Sequence, residues 1–131
     1  VLEPVTYVDD ERFAKIRKRF APQAGDVLLT CAGTIGNAAV VPDMEPFVAD
    51  RGVTMLRPQT GILNSQYLLA FFFSDFAAEQ MRRGTKATAL AHLYLKQINE
   101  LRIILPPIEL QNQFADFVKQ TDKSKLYFHL R

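Results

Sequence analysis

Gly25-Asp26-Val27-Leu28-Leu29-Thr30-Cys31-Ala32-Gly33-Thr34-Ile35-Gly36-Asn37-Ala38-Ala39-Val40-Val41 reads as two short apolar runs joined by a connection with two glycines. Gly25-Asp26 turns the chain into a predicted strand over 27–31, residues 32–37 form a loop, and 38–41 supply a second strand. Pro42-Asp43-Met44-Glu45-Pro46 breaks any ladder, and two more short strands are expected at 47–49 and 53–57 around Asp50-Arg51-Gly52. Short strands with such tight punctuation imply a small, mainly antiparallel, meandering sheet.

Helical patterns surround this core. Upstream, Asp9-Asp10-Glu11 suits a helix start, with carboxylates beside the positive end of the helix dipole. Phe13, Ile16, Arg17 and Phe20 follow at helical spacing, with Pro22 just beyond. Its basic face, with Lys15, Lys18 and Arg19, reads either as solvated surface or as a phosphate contact. Downstream of Pro58-Gln59-Thr60-Gly61, Ser65 is expected to cap a helix over 66–83, broken at Ser74-Asp75. Leu68, Phe72, Phe76 and Met81 would form its apolar stripe, and Gly84 would end it. Residues 85–91 have no clear period and read as a loop, 95–99 as a short helix or turn, and 101–105 as a strand. Pro106-Pro107 then opens a last helix, where Leu110, Phe114, Phe117 and Val118 share one face. The predicted class is α+β: a small twisted, mainly antiparallel sheet with flanking helices and a C-terminal helix.

Composition narrows the function. The 131 residues fit one domain, and 48% hydrophobic with 23% charged is ordinary for a globular fold. A net charge of +2 excludes a histone-like polycation, yet local clustering can still suit DNA. The lone Cys31, inside an apolar run, reads as a core residue and rules out an internal disulfide. No segment nears the roughly 20 apolar residues of a membrane span, and Val1-Leu2-Glu3-Pro4 does not start a signal peptide. The expected compartment is the cytoplasm. A chain starting on Val1 rather than Met is expected to be a fragment or a trimmed chain.

No catalytic constellation emerges. No Asp or Glu is followed two residues on by Lys, as common nucleases require, and His92 and His129 lie apart from each other and from Cys31. Zinc is therefore not expected, nor is any other cofactor. Gly33-Thr34-Ile35-Gly36 lacks the Lys-Ser/Thr ending of a P-loop and the third glycine of a dinucleotide fingerprint, so a tight turn is the simpler reading. Leu105-Pro106-Pro107-Ile108 has an apolar residue where adenine methyltransferases carry Asn or Asp before two prolines, and it cannot hydrogen-bond a flipped base.

Three stretches, in order, resemble the target-recognition domain of the specificity subunit of Type I restriction-modification enzymes. They are Gly25–Thr30 with Gly33-Thr34-Ile35-Gly36 and Ala38–Val41; the helix with Tyr67-Leu68 that ends in Gly84-Thr85; and Leu101-Arg102-Ile103-Ile104-Leu105-Pro106-Pro107-Ile108-Glu109-Leu110-Gln111. The resemblance spans about Phe20 to Lys125. It implies a DNA target-recognition domain over 1–107 and the start of a spacer or dimerisation helix over 108–131. It also implies that each such domain reads one half of a split site in double-stranded DNA, without catalysis of its own. Methylation belongs to partner methyltransferase subunits, and cleavage to a restriction subunit recruited through them. A homodimer through the C-terminal helix would follow if a single-domain chain recreated the family's two-domain layout.

Arg82-Arg83-Gly84-Thr85-Lys86-Ala87-Thr88 is the first candidate for DNA contact, because Arg can fork onto guanine O6 and N7 while Lys and Thr suit phosphates. The bland alternative is that Arg82 and Arg83 only balance the negative helix end. Thr34, Asn37 and Arg51 are secondary candidates on loops of the sheet. Rival functions are the recognition domain of a fused restriction-methylation enzyme, and a protein-interaction module that dimerises through its last helix.

Overall fold

The computed structural model describes residues 11, 21–43, 52–86 and 92–129, with side chains to residue 120 and excluding that of Lys86. The predicted N-terminal helix beyond Glu11, the strand at 47–49, Arg51 and residues 87–91 lie outside the described residues.

Strands β1 (Val27–Ala32), β2 (Thr34–Val40) and β3 (Val53–Leu56) form an antiparallel sheet in the order β2-β1-β3. The most apolar run takes the middle: Val27, Leu28, Leu29 and Cys31 are all buried. With helices α1 (Ser65–Phe72), α2 (Asp75–Lys86), α3 (Leu95–Asn99) and α4 (Ile108–His129), the fold is α+β, as the sequence implies.

The predicted loop at 32–37 is mostly strand. Gly33, at φ 74°, turns the chain so tightly that Ala32 already faces Thr34. The register shifts between Leu29 and Cys31, where Thr30 meets both Gly36 and Asn37. Gly36, at φ 94°, supplies the conformation such a bulge needs. The Thr30 hydroxyl accepts a bond from the Asn37 amide at 3.0 Å, so the ladder continues past the irregularity.

The break at Ser74 falls where its sequence suggests, with the Ser74 hydroxyl accepting from the Ala77 amide at 3.2 Å. The cap of α1 is Asn64 rather than Ser65: its side-chain oxygen accepts from the Gln66 and Tyr67 amides at 2.8 and 3.1 Å. Ser65 instead donates to the Gly25 carbonyl at 2.5 Å, tying α1 to the turn before β1. The core gathers Val27, Leu29, Cys31 and Ala38 from the sheet with Leu68, Phe72, Ala77, Met81, Leu93 and Ile98. Phe76, expected in this stripe, is exposed, and small Ala77 takes the inward place.

Gly84 does not end α2, which runs on to Lys86. Its role is close approach: a Cβ there would lie 3.2 Å from Leu93 Cδ1 and from Gln97 Cβ and Cγ. Because Leu93 is buried and cannot yield freely, Gly84→Val is expected to lower stability by about 1–3 kcal/mol despite better helix propensity. Chemical denaturation of both forms checks this.

Residues 101–105, predicted as a strand, join no sheet. Side chains take up their backbone groups instead. The Gln80 amide donates to the Arg102 carbonyl at 2.9 Å and accepts from its N–H at 2.7 Å, while the Tyr67 hydroxyl donates to the Ile104 carbonyl. One glutamine thus does for Arg102 what a neighbouring strand would.

Beyond Pro107, α4 is fastened by a residue its apolar pattern hides. Gln111 is fully buried. Its amide donates to the Ile62 and Pro106 carbonyls at 2.9 and 2.8 Å and accepts from the Asn64 N–H at 2.8 Å. Of the expected apolar face, Leu110 is 53%, Phe114 40% and Phe117 66% exposed, while Val118 is half-buried. Phe114 still touches the body of the domain, edge-on to Tyr67 at 5.7 Å.

Candidate nucleic-acid interface

The β1–β2 hairpin and the end of α2 meet at one surface. Met81 is the hinge of that meeting, since its Cε would lie 3.3 Å from a Cβ placed on Gly36. Around this contact is a groove of about 270 Å³ lined by Ile35, Gly36, Phe72, Ala78, Met81, Arg82 and Thr85. Of the candidates, Arg82 and Thr85 line this groove, as do Ile35 and Gly36 of the hairpin, which stand between Thr34 and Asn37; Thr34, Asn37 and Arg83 are not in its lining. Thr34 and Asn37 are exposed on the hairpin, Arg82 and Arg83 are exposed on α2, and Thr85 is half-buried at the groove wall.

The cations are not in a loop. Residues 82–86 are helical, and the helix places Glu79 one turn before both arginines. Arg82 grips Glu79 with two bonds, Nε to Oε2 at 3.0 Å and Nη2 to Oε1 at 2.6 Å. Arg83 donates from Nε alone to Oε1 at 3.2 Å. Hydrogen bonds from Arg82 and then Arg83, ahead of their charges, push the Glu79 carboxyl down to about 2. The carboxylate therefore stays ionised wherever DNA binding is measured. Thr85 donates its hydroxyl to the Arg82 carbonyl at 3.0 Å. Lys86 closes α2, its side chain outside the described residues, as is all of Arg51.

Reading the sequence for cations missed Glu79. Its signal was present, since Glu79 stands three and four residues before Arg82 and Arg83, the spacing at which helix surface charges pair.

A second ion pair lies outside this interface. Arg57, just past β3, donates from Nε and Nη2 to the two oxygens of Asp26, both at 2.9 Å. Asp26 is buried in the turn leading into β1 and also accepts from the Gln23 amide at 2.8 Å. The pair locks the start of the central strand to the end of β3, and so fixes the frame from which the hairpin projects.

The described residues thus comprise a three-stranded sheet, a glycine hairpin beside a cationic helix end, and a long C-terminal helix with exposed apolar side chains. The model of the Type I restriction modification DNA specificity domain matches residues 8–129, and the chain belongs to that family. A Haemophilus influenzae protein inferred to be a type I restriction enzyme specificity subunit is 20% identical over 117 residues, covering 88% of this chain. The chain spans 29% of the length of that relative. No helix among the described residues is long and apolar enough to cross a membrane.

Proposed function

We propose that this chain reads one half of a split target in double-stranded DNA as part of a Type I restriction-modification system, leaving methylation and cleavage to partner subunits. The observation that carries the reading is the groove in which Ile35 and Gly36 of the hairpin meet Arg82 and Thr85 of α2, with the exposed Thr34, Asn37 and Arg83 on the same two elements. A hairpin tip and a cationic helix end can reach base edges and phosphates together. Residues 1–107 are the reading domain and residues 108–131 begin the spacer.

Fluorescence anisotropy with a labelled duplex tests the DNA half of this proposal. Non-specific Kd is expected around 10⁻⁴–10⁻⁶ M at physiological salt, weakening steeply as salt rises, because phosphate contacts release counterions. Binding that ignores salt would favour a protein-interaction module instead. The pure chain is expected to show no nuclease or methyltransferase turnover with metal and methyl donor supplied, and turnover would overturn the assignment. Replacing Arg82, Arg83 and Lys86 together by Ala should weaken binding; an unchanged affinity would move the contact to the hairpin residues Thr34–Asn37.

The exposed face of α4 favours an accompanying role in assembly. Leu110, Phe114 and Phe117 lie on it at helical spacing, in a helix that Gln111 and the Asn64–Asn112 bond at 2.8 Å fix to the domain. A rigidly held apolar stripe suits an antiparallel helix, and a second copy would supply one. Cutting the chain at Pro107 would also remove Gln111, so the better comparison is the intact chain against Leu110→Lys with Phe117→Lys. Sedimentation is expected to show a dimer that the double variant loses; two monomers would remove homodimerisation from the account.

A further inference from the structure

We infer that Arg83 is the guanine-reading residue of the α2 surface, and that Glu79 is a positioning residue that separates its role from that of Arg82. This rests on the DNA-reading proposal above and assigns its chemistry. Forking onto guanine needs two N–H groups of one guanidinium free to meet O6 and N7 together. The two arginines differ in that respect. Arg82 is clamped through Nε and Nη2, with Nη2 held at 2.6 Å, and it lines the hairpin groove. Swinging Arg82 onto a base breaks both of its bonds to Glu79.

Arg83 is held by Nε alone at 3.2 Å, its side chain is 74% exposed, and neither terminal nitrogen has a partner among the described residues. Both Nη1 and Nη2 are therefore free for a base edge while Nε keeps the side chain aligned. Arg82, with 52% of its side chain exposed, remains a cation beside the hairpin, suited to a phosphate. Glu79 has a second effect. One carboxylate shared between two guanidiniums lowers the local positive charge, so attraction to arbitrary DNA falls while the fork of Arg83 remains. A cluster of this kind favours discrimination over raw affinity.

The test is selection from a pool of duplexes with a randomised 20-base-pair centre, using the intact chain and its Arg83→Lys, Arg82→Lys and Glu79→Gln variants. All three positions are on the surface, and equal melting temperatures establish equal folding. Arg83→Lys keeps the charge and loses the fork, so preference at one guanine is expected to fall by about 5- to 150-fold. Arg82→Lys is expected to retain that preference and shift overall affinity only. Glu79→Gln should weaken the same guanine preference while tightening binding to unselected duplex and steepening the salt slope by up to about 0.9. A purely structural Glu79 would instead weaken all duplexes alike. Loss of the guanine preference in Arg82→Lys but not Arg83→Lys, or in neither, overturns the assignment while the enriched motif keeps the DNA-reading proposal intact. If the unmodified chain enriches no motif, both fall.

Discussion

Arg57→Ala is expected to destabilise the fold more than Asp26→Ala, although Arg57 is the more exposed partner. Removing Asp26 leaves a guanidinium whose side chain is 50% exposed and can turn to water. The loss is then that of the bonds themselves, about 1–3 kcal/mol. Removing Arg57 strands a carboxylate whose side chain is only 3% exposed, and an uncompensated buried charge costs more than a missing bond. The two losses also differ in pH dependence. Burial alone would raise the Asp26 carboxyl, but the Arg57 hydrogen bonds, the Gln23 amide and the guanidinium charge outweigh it and hold the group below its ordinary value. A depressed folded pKa contributes stability that is complete above the unfolded value of about 3.9 and is lost as pH falls through the folded one. Without Arg57, only the Gln23 amide opposes burial, which is the larger of the two effects, so the folded pKa lies above the unfolded one. The variant should therefore gain stability as pH drops from 7 toward 4.5, a range over which the parent's contribution from this group stays level. Urea unfolding at both pH values measures this; the same pH response in both proteins would show that Asp26 does not stay buried when unpaired.

Gln111→Leu carries the second large effect. The substitution keeps the burial and removes a side chain that satisfies the Asn64 N–H and the Ile62 and Pro106 carbonyls. Each group left without a partner costs about 1–3 kcal/mol, and losses sharing one site do not simply add, so a total of about 3 kcal/mol is expected. Gln111→Glu is a sharper probe. It puts an oxygen against two carbonyl oxygens, so its defect should ease when acid protonates the new carboxyl. Amide exchange should show faster opening around Asn64 and at the start of α4, ahead of the sheet. Uniform acceleration across the whole chain would mean that Gln111 supports the global fold rather than this joint.

The sheet was legible because its strands carry their own punctuation. Val27–Leu29 is apolar enough to be central, and Gly33 and Gly36 mark the hairpin even though the ladder runs through what reads as a loop. The interruption at Ser74 was legible for the same reason, since a hydroxyl beside an acidic residue starts a new helix. Residues 101–105 misled because their apolar β-branched pattern reports burial and extension but not the partner. Gln80 and Tyr67, more than twenty residues upstream, decide that no strand lies alongside. Gln111 was hidden by its polarity: a helix pattern read for apolar spacing assigns a glutamine to solvent. The candidate interface was partly legible. Arg82, Arg83 and the hairpin could be named from residue type, but their adjacency comes from Met81 packing on Gly36, a contact that no local pattern encodes. Gly84 illustrates the same gap, since glycine as a stop and glycine as a close approach look alike until Leu93 and Gln97 are in place.

The central claim is that this chain directs sequence-specific DNA modification by partners. The most direct measurement is the genome-wide pattern of methylated bases in cells that carry the gene, compared with cells from which it has been deleted. The account predicts that deletion abolishes methylation at one interrupted motif and leaves other modified motifs untouched, and that restoring the gene restores it. Restoration with Arg83→Lys should bring back methylation that no longer distinguishes one guanine in a half-site. An identical methylation pattern with and without the gene, in cells where the methyltransferase partner is active, would contradict the claim.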